Sequence, residues 1–185
     1  MGSTGMLPFS TAKDWDIRGP VGDWHALRSD RDYKADWRAH GGAPSVPASA
    51  GFVLRVQSDA DLKASRWGLL AWEAPRERSA YKPFWIDGKM LVAEIVEPGD
   101  TVGMLARATG MQVSGLRLLD GALVLKARRG RRVEQIRLPE GDSFDPERSA
   151  LQLSYPFDGF PPTATPRLCN FFAMLKPRQR PPARR

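Results

Sequence analysis

The chain has 185 residues, 42% of them apolar, a single cysteine and a formal net charge of +7 at pH 7. This composition supports a real hydrophobic core, while one cysteine excludes internal disulfides and zinc sites built from several cysteines. No apolar run approaches the ~18 residues of a membrane span, and the N-terminus lacks a basic region followed by an apolar one, so we expect a cytoplasmic protein.

Charge and aromatic content divide the chain unevenly. Residues 101–185 contain 15 Lys and Arg against 7 Asp and Glu, whereas residues 1–100 contain 13 against 14. A concentrated positive charge indicates a polyanionic partner, most commonly nucleic acid. The tryptophans all lie in the front part: Trp15, Trp24, Trp37, Trp67, Trp72 and Trp85.

Two short helices are predicted within residues 14–40, separated by Ser29-Asp30, either of which can serve as an N-cap. Apolar residues three or four apart share a helix face, which predicts a compact helical hairpin held by aromatic side chains. The alternative is a platform on which bases stack. The residues on the shared faces are Trp24 with Leu27 and Tyr33 with Trp37.

Small residues, Gly and Pro make up residues 41–50, GGAPSVPASA, and this composition is typical of a flexible linker. The linker predicts a domain boundary. The predicted organisation is a helical domain over 1–40, the linker over 41–50, an α+β domain over 51–176 and a disordered basic tail over 177–185.

After the linker, Ser58 and Asp61 form a capping-box pattern, which predicts a short helix reaching residue 65 or 66. The run WGLLAW at residues 67–72 then has the composition of a buried strand. A turn at Asp87-Gly88 would set Trp85 opposite Met90. We count Trp67, Trp72 and Trp85 among the packing residues.

A strand is predicted over residues 90–96, ended by Pro98-Gly99-Asp100. Asp100 or Thr101 can then cap a helix over residues 101–108, and Gly110 suits its C-terminus. No second helix follows in the arrangement of a helix-turn-helix.

Residues 115–141, GLRLLDGALVLKARRGRRVEQIRLPEG, predict a three-stranded antiparallel meander. Two-residue turns at Asp120-Gly121 and Arg129-Gly130 would pair Leu116 with Leu125 and Leu123 with Ile136. Side chains alternate across a strand, so one face should be aliphatic. The predicted aliphatic residues are Leu116, Leu118, Leu123, Leu125, Ile136 and Leu138.

The opposite face of this meander should be basic and exposed. The segment KARRGRR places five cations in seven residues at the second turn. Glu134 falls on the aliphatic side, so we expect it at a sheet edge against Arg132. The predicted phosphate-binding cations of the meander are Arg117, Lys126, Arg128, Arg131 and Arg137 on the face, with Arg129 and Arg132 at the tip.

The C-terminal part predicts a strand over residues 151–155 and an amphipathic helix that starts near Thr165-Pro166 and docks on the sheet. Leu168, Phe171, Phe172 and Leu175 would form its apolar stripe. The basic tail can bind phosphates or remain a solvated, disordered end. Its cations are Lys176, Arg178, Arg180, Arg184 and Arg185.

Together these elements predict an α+β fold: a helical hairpin, then a mostly antiparallel sheet with short helices and one C-terminal amphipathic helix. The common phosphate-loop, nucleotide-binding, nucleophile and zinc-protease motifs are absent, so we expect neither enzymatic activity nor a cofactor. His25 and His40 have no carboxylate or cysteine at ligand spacing, and no metal site is expected.

Residues 24–38, WHALRSDRDYKADWR, resemble the signature of the small transcriptional-regulator-like domain of proteobacteria: Trp-x-x-Leu-Arg, Asn or Asp, then Tyr-x-x-Asp-Trp or Tyr. RWGLLAWEAP with the later Phe84-Trp85 resembles the next segment of those proteins, with Ala74 where Asp is frequent. The likeness spans about residues 14–86 and continues more weakly to about residue 155. The matching signature residues are Trp24, Leu27, Arg28, Asp30, Tyr33, Asp36 and Trp37.

The family includes regulators encoded on integrative and conjugative elements, and related proteins control secretion genes, so the resemblance implies a transcriptional role. Fuller members continue into a helix-turn-helix-like domain where this chain has PRQRPPARR. We therefore expect DNA binding through phosphates with weak sequence preference. The alternatives are RNA binding and a protein-interaction module, which forms a homo-oligomer or binds another transcription regulator or a separately encoded helix-turn-helix domain.

Overall fold

A mixed β-sheet flanked by short helices forms the centre of the computed structural model, which describes residues 20–41, 52–75, 83–87, 90–154 and 164–176. The predicted α+β class is confirmed. The elements are α1 (Pro20–Leu27), α2 (Arg31–His40), β1 (Phe52–Val56), α3 (Asp59–Leu62), β2 (Leu91–Thr101), α4 (Val102–Thr109), β3 (Gln112–Arg117), β4 (Leu123–Arg129), β5 (Arg132–Leu138), β6 (Ala150–Ser154) and α5 (Ala164–Leu175).

In the described part of the chain the strands lie in the order β1-β3-β4-β5-β2-β6. The predicted meander, β3 to β5, forms the antiparallel middle of the sheet. The β1–β3 and β2–β5 pairings are parallel, and β6 pairs with β2 antiparallel. Helices α4 and α5 pack on one side of the sheet, here called the helix side. Residues 69–72, residues 83–87 and Met90 contribute to the cover over β3 to β5 on the other, the loop side.

The first turn of the meander differs from the prediction by one residue. Leu116 pairs with Val124, not Leu125, because the loop has three residues, 119–121. The Gly121 N–H donates to the Leu118 carbonyl and Gly121 has a φ of 85°, as in a turn followed by a left-handed residue. A one-residue shift reverses the side that each side chain faces. Leu116 and Leu118 therefore pack on the loop side, and Arg117 faces the helix side.

The second turn differs from the prediction by two pairing positions. Its central residues are Gly130-Arg131, between the paired Arg129 and Arg132, and Gly130 has a φ of 62°. Because side chains alternate along a strand with a period of two residues, a shift of two leaves each side chain on its predicted side of the sheet. The residues that keep their predicted sides are Leu123, Leu125, Ile136 and Leu138 on the helix side and Lys126, Arg128 and Arg137 on the loop side.

The main core lies between the sheet and α5. The β4 and β5 leucines and Ile136 pack there against Leu168, Phe171 and the fully buried Met174, which confirms that the last helix docks on the sheet. Phe172 was wrongly placed in the buried stripe, since 54% of it is exposed. Phe171 and Met174 turn toward the sheet, and Phe172 lies one position further around the helix.

A second core joins the helical hairpin to residues 64–72. Tyr33 is fully buried, with ring centroids 5.9 Å from Trp24 and 5.5 Å from Trp67 in edge-to-face geometry. Asp30 caps α2 by accepting from the N–H groups of Asp32 and Tyr33. The hairpin is confirmed, and its core is shared with later residues. The predicted linker spans residues 41–50, of which 42–50 lie outside the described residues, so the domain division stays a prediction.

The segment between β1 and β2 is less regular than predicted. Residues 63–67 form a single 3-10 turn and Gly68 has a φ of 72°, so the predicted strand over residues 67–72 is wrong. Leu69 makes an isolated bridge with Trp85, whose N–H and carbonyl both bond to the Gln135 side chain. The predicted turn at Asp87-Gly88 lies partly outside the described residues, so its pairing of Trp85 with Met90 stays a prediction. β2 also continues beyond the predicted stop at residues 98–100 to Thr101, through a shift in register after Val96.

The residues that begin α3 and those that begin and end α4 agree with the prediction. The Asp61 carboxylate accepts from the N–H and hydroxyl of Ser58, and the side chain of Thr101 accepts from the Met104 N–H at the start of α4. Gly110, with a φ of 68°, ends α4. These contacts lie within a few residues of each other in the chain, and local sequence was sufficient to predict them.

Candidate nucleic-acid interface

The cations of the meander do not share one exposed face, and the predicted basic face is wrong. Arg117 faces the helix side, where its Nε lies 3.6 Å from an Asp142 oxygen. Arg137 is on the loop side, at the far end of the strands, and forms a 2.7 Å ion pair with Asp120. These two arginines therefore lie among carboxylates, away from the second turn.

Lys126 is buried, with 6% of its surface exposed. Its Nζ donates to the Pro83 carbonyl over 3.3 Å and lies 4.2 Å from the centroid of the Phe84 ring. A cation over an aromatic face is stabilised by the ring quadrupole, and the amine also has a hydrogen-bond acceptor. Lys126 therefore holds the covering segment on the sheet, and its burial excludes it from contact with a phosphate.

The same covering segment explains why the loop side is not basic. Gln135 is fully buried, accepts from the Trp85 N–H over 3.1 Å and donates to the Trp85 carbonyl over 2.9 Å. Gln57 similarly donates to the Leu70 carbonyl and accepts from the Leu119 N–H. The two glutamines satisfy backbone groups of the covering segment and of the first turn of the meander, which have few backbone partners there.

The remaining cations of the meander gather at its second turn. Arg129 is half-buried on the helix side, and its Nη1 donates to the Met174 carbonyl over 2.7 Å and to the Lys176 carbonyl. Arg132 lies beside it and donates to the Asn170 side chain over 3.3 Å. The turn therefore contacts the C-terminal half of α5. We call this cluster the basic tip: Arg128, Arg129, Arg131, Arg132 and Lys176.

Four of the predicted phosphate-binding residues, Arg178, Arg180, Arg184 and Arg185, lie outside the described residues. Lys176, the last residue that the structure describes, contacts Arg129 through its carbonyl.

A buried polar cluster was missed by sequence reasoning. Glu134 is 6% exposed in the interior of the sheet, so the prediction of an edge position against Arg132 is wrong. It accepts from Arg167 over 3.2 Å and from Asn170 over 2.8 Å, and Arg167 also pairs with Asp87 over 2.7 Å. Burial raises the pKa of Glu134, and the Asn170 and Arg167 contacts partly offset that increase. The position of Glu134 on an aliphatic strand face was the signal in the sequence, because a buried carboxylate needs a cationic partner. The structure supplies that partner from α5.

The predicted packing residues are largely in the aromatic core. Trp24, Tyr33 and Trp72 have at most 3% of their surface exposed, so their faces are not accessible to bases. Leu27, Trp37 and Trp67 pack around them, and the Trp67 indole N–H donates to Asp36. Trp85 lies apart, hydrogen-bonded to Gln135. The signature residues at positions 30, 33 and 36 thus have structural roles.

No protein-family model and no curated protein matches the chain. Among the described residues, no group of three His, Cys, Asp or Glu side chains is arranged to hold a metal ion, and no helix is long and apolar enough to cross a bilayer. The resemblance of about residues 14–86 to a transcriptional-regulator-like domain stays a prediction.

Proposed function

We propose that the chain is a non-enzymatic transcription-regulator module that binds DNA through phosphates, using the basic tip and the tail. The observation that supports this most strongly is the contact of Arg129 with the end of α5, which brings the cations of the second turn together with Lys176. The transcriptional role rests on the resemblance of residues 24–38.

The physical signature of this binding is its dependence on salt. Each phosphate neutralised by Lys or Arg releases condensed counterions, so about six contacts give a slope near −5 for log K against log salt. Phosphate contacts carry no base information, and the sequence preference should be weak. A helix or strand inserted in a groove is not required.

The test is a triple substitution at the tip, Arg128→Ser, Arg131→Ser and Arg132→Ser. The expected result is weaker binding to a duplex and a salt slope reduced by about three, since each contact contributes about 0.9. Arg131 and Arg132 are exposed, where a substitution usually alters stability by less than about 0.5 kcal/mol. Arg128 is half-buried, so the free energy of unfolding of the variant is measured beside its affinity. Fluorescence anisotropy at several salt concentrations, with two duplexes of unrelated sequence, measures the affinity and the slope.

A matched control removes the same charge elsewhere: Arg107→Ser, Arg137→Ser and Arg148→Ser, which are exposed positions away from the tip. This variant should keep most of the affinity. Equal losses in the two variants would mean that only total charge matters, and an affinity indifferent to salt would rule out the proposed function.

A protein-interaction module is the second candidate, favoured by two exposed apolar side chains on the helix side. Met104 of α4 is 51% exposed and Phe172 of α5 is 54% exposed. Size-exclusion chromatography with light scattering separates the two candidates. A stable oligomer that ignores DNA, and that dissociates on Phe172→Ser, favours interaction; a monomer that binds DNA favours the first proposal.

A further inference from the structure

Phe172 is an aromatic side chain of α5 that the described part of the fold leaves exposed. It is 54% exposed, whereas its neighbour Phe171 packs against the main core, and the centroids of the two rings lie 6.2 Å apart. Successive helix residues are turned by about 100°, so Phe172, two positions before the fully buried Met174, points away from the sheet. The contact with Phe171 supports the ring, and its remaining surface faces solvent.

The basic tip contacts α5 on both sides of this ring along the helix. Arg132 donates to the side chain of Asn170, two residues before Phe172, and Arg129 donates to the carbonyl of Met174, two residues after it. A helix rises about 1.5 Å per residue, so both contacted positions lie within about 3 Å of Phe172 along the axis of α5. The exposed ring therefore lies beside the cations of the basic tip.

The charge around the ring is positive. Lys176 is exposed and follows Phe172 by four residues, the spacing of neighbours on one helix face. The sequences of β4, of the second turn and of α5 contain no Asp or Glu, and Glu134 of β5 is buried against Arg167. A polyanion is therefore attracted to the surface on which the ring is exposed.

An aromatic ring beside cations is an arrangement that binds unpaired nucleotides, because the ring stacks on a base while the cations bind the phosphates next to it. Bases inside a duplex are covered by their stacked neighbours and do not offer a free face. We propose that Phe172 and the basic tip form a binding site for unpaired nucleotides of a DNA strand, in which the ring is the stacking surface. The inference rests on the proposed function and adds contact with bases that does not read their sequence.

Fluorescence anisotropy with two strands of equal length tests the proposal: a single-stranded oligonucleotide, and an abasic strand that has the same phosphates and no bases. At one salt concentration the unsubstituted chain should bind the complete strand about tenfold more tightly, the effect of one stacked base. Phe172→Leu should reduce this ratio to less than about twofold and keep the salt slope, because its cations are unchanged. Phe172→Trp, which retains an aromatic ring, should keep the ratio.

Leu119→Ala is the matched control, since Leu119 is 51% exposed at the first turn of the meander, at the opposite end of the strands. Its ratio should equal that of the unsubstituted chain. If the unsubstituted chain binds both strands equally, with a steep dependence on salt, the inference is overturned and the proposed function stands. A ratio that Phe172→Leu leaves unchanged would place the stacking elsewhere and would also overturn the inference. Binding of no strand and no duplex at low salt would overturn the proposed function itself.

Two further measurements test the identity of the occupant. Light scattering should show a monomer, and a stable oligomer that Phe172→Leu dissociates would mean that a second copy of the chain covers the ring, which overturns the inference. An RNA strand of the same sequence should bind no more tightly than the DNA strand. Tighter binding of RNA would overturn the assignment to DNA.

Discussion

At the scale of single residues, the structure is decided by a few buried polar groups. Glu134 would be unfavourable in the main core without Arg167 and Asn170, because an unpaired buried carboxylate loses its hydration. Both partners come from α5, so the carboxylate also fixes the position of that helix on the sheet. This explains a charge that hydrophobic patterning alone treats as a misfit.

The raised pKa of Glu134 predicts a specific dependence of stability on pH. The unfolded chain has a glutamate pKa of about 4.3. Above it the unfolded carboxyl has lost its proton while the folded one still binds it. The stabilising contribution of this proton is therefore complete below about pH 4.3 and is lost as the pH rises through the folded pKa.

Glu134→Gln removes this titration and keeps an oxygen that accepts from Asn170. At about pH 4, near the pKa of a glutamate in the unfolded chain, the stabilising effect of the Glu134 proton is present. As the pH rises toward about 7, the free energy of unfolding of the unsubstituted protein should fall relative to that of Glu134→Gln. Urea denaturation at several pH values measures the difference. A difference that does not change with pH would contradict the prediction.

At the scale of elements, turn geometry determines which residues are buried. The Asp-Gly signal at positions 120–121 marked the first turn correctly, but two-residue and three-residue loops use the same residues. The resulting one-residue difference moved Leu116 and Arg117 to opposite sides from those predicted. The pairing at the second turn also differs from the prediction, by two residues. A shift of two residues keeps each side chain on the same side of the sheet, so burial does not change.

Close packing next to this hairpin predicts an intolerant glycine. A Cβ added at Gly141 would collide with the Cβ of Leu123 and lie 2.6 Å from its backbone nitrogen, in a strand that cannot move freely. Gly141→Ala should therefore destabilise the fold by about 1–3 kcal/mol, the range for overpacking. The midpoint of urea denaturation measures this, with an unchanged m-value.

Gly130→Asn is the control for that substitution. Gly130 has a left-handed φ of 62° that asparagine tolerates, and no atom lies within 4 Å of its added Cβ. The free energy of unfolding of Gly130→Asn should differ from that of the unsubstituted protein by less than about 0.5 kcal/mol. Similar losses for the two glycines would indicate that backbone entropy, and not space, limits position 141.

At the scale of the whole molecule, two cores and a covering segment connect distant parts of the chain. The helical hairpin completes the aromatic core with residues 64–72, and the same segment continues into the cover of the loop side. The Tyr33 hydroxyl donates to the Glu73 carbonyl over 2.7 Å, which adds a polar link. The hairpin therefore supports the cover of the sheet.

Deleting residues 1–41 tests this dependence and the predicted domain boundary together. Leu69 and Trp72, now 2% and 3% exposed, would lose their cover. Burial of each large apolar side chain contributes about 1.5–3 kcal/mol, so the free energy of unfolding should fall by about 3 kcal/mol or more. Thermal unfolding followed by near-ultraviolet circular dichroism measures it. An unchanged midpoint would show that the hairpin is an independent domain, as the linker composition predicts.

The sequence by itself determined the local features of this protein: the helix caps, the strands of the meander, the aliphatic set of β4 and β5, and the concentration of cations at the Gly130-Arg131 turn. Each depends on residues a few positions apart, where propensity, alternation and turn chemistry act directly. The polyanionic partner that the composition favours stays a prediction.

Only the tertiary structure decided which of the cations remain accessible. Burial of Lys126 depends on Pro83 and Phe84, and the contacts of Arg129 depend on Met174 and Lys176, more than forty residues away in each case. Alternation assigns side chains to two sides of a strand, but it does not determine the register or which side later segments cover. Those depend on packing between distant parts of the chain, and they convert a predicted basic face into a basic tip.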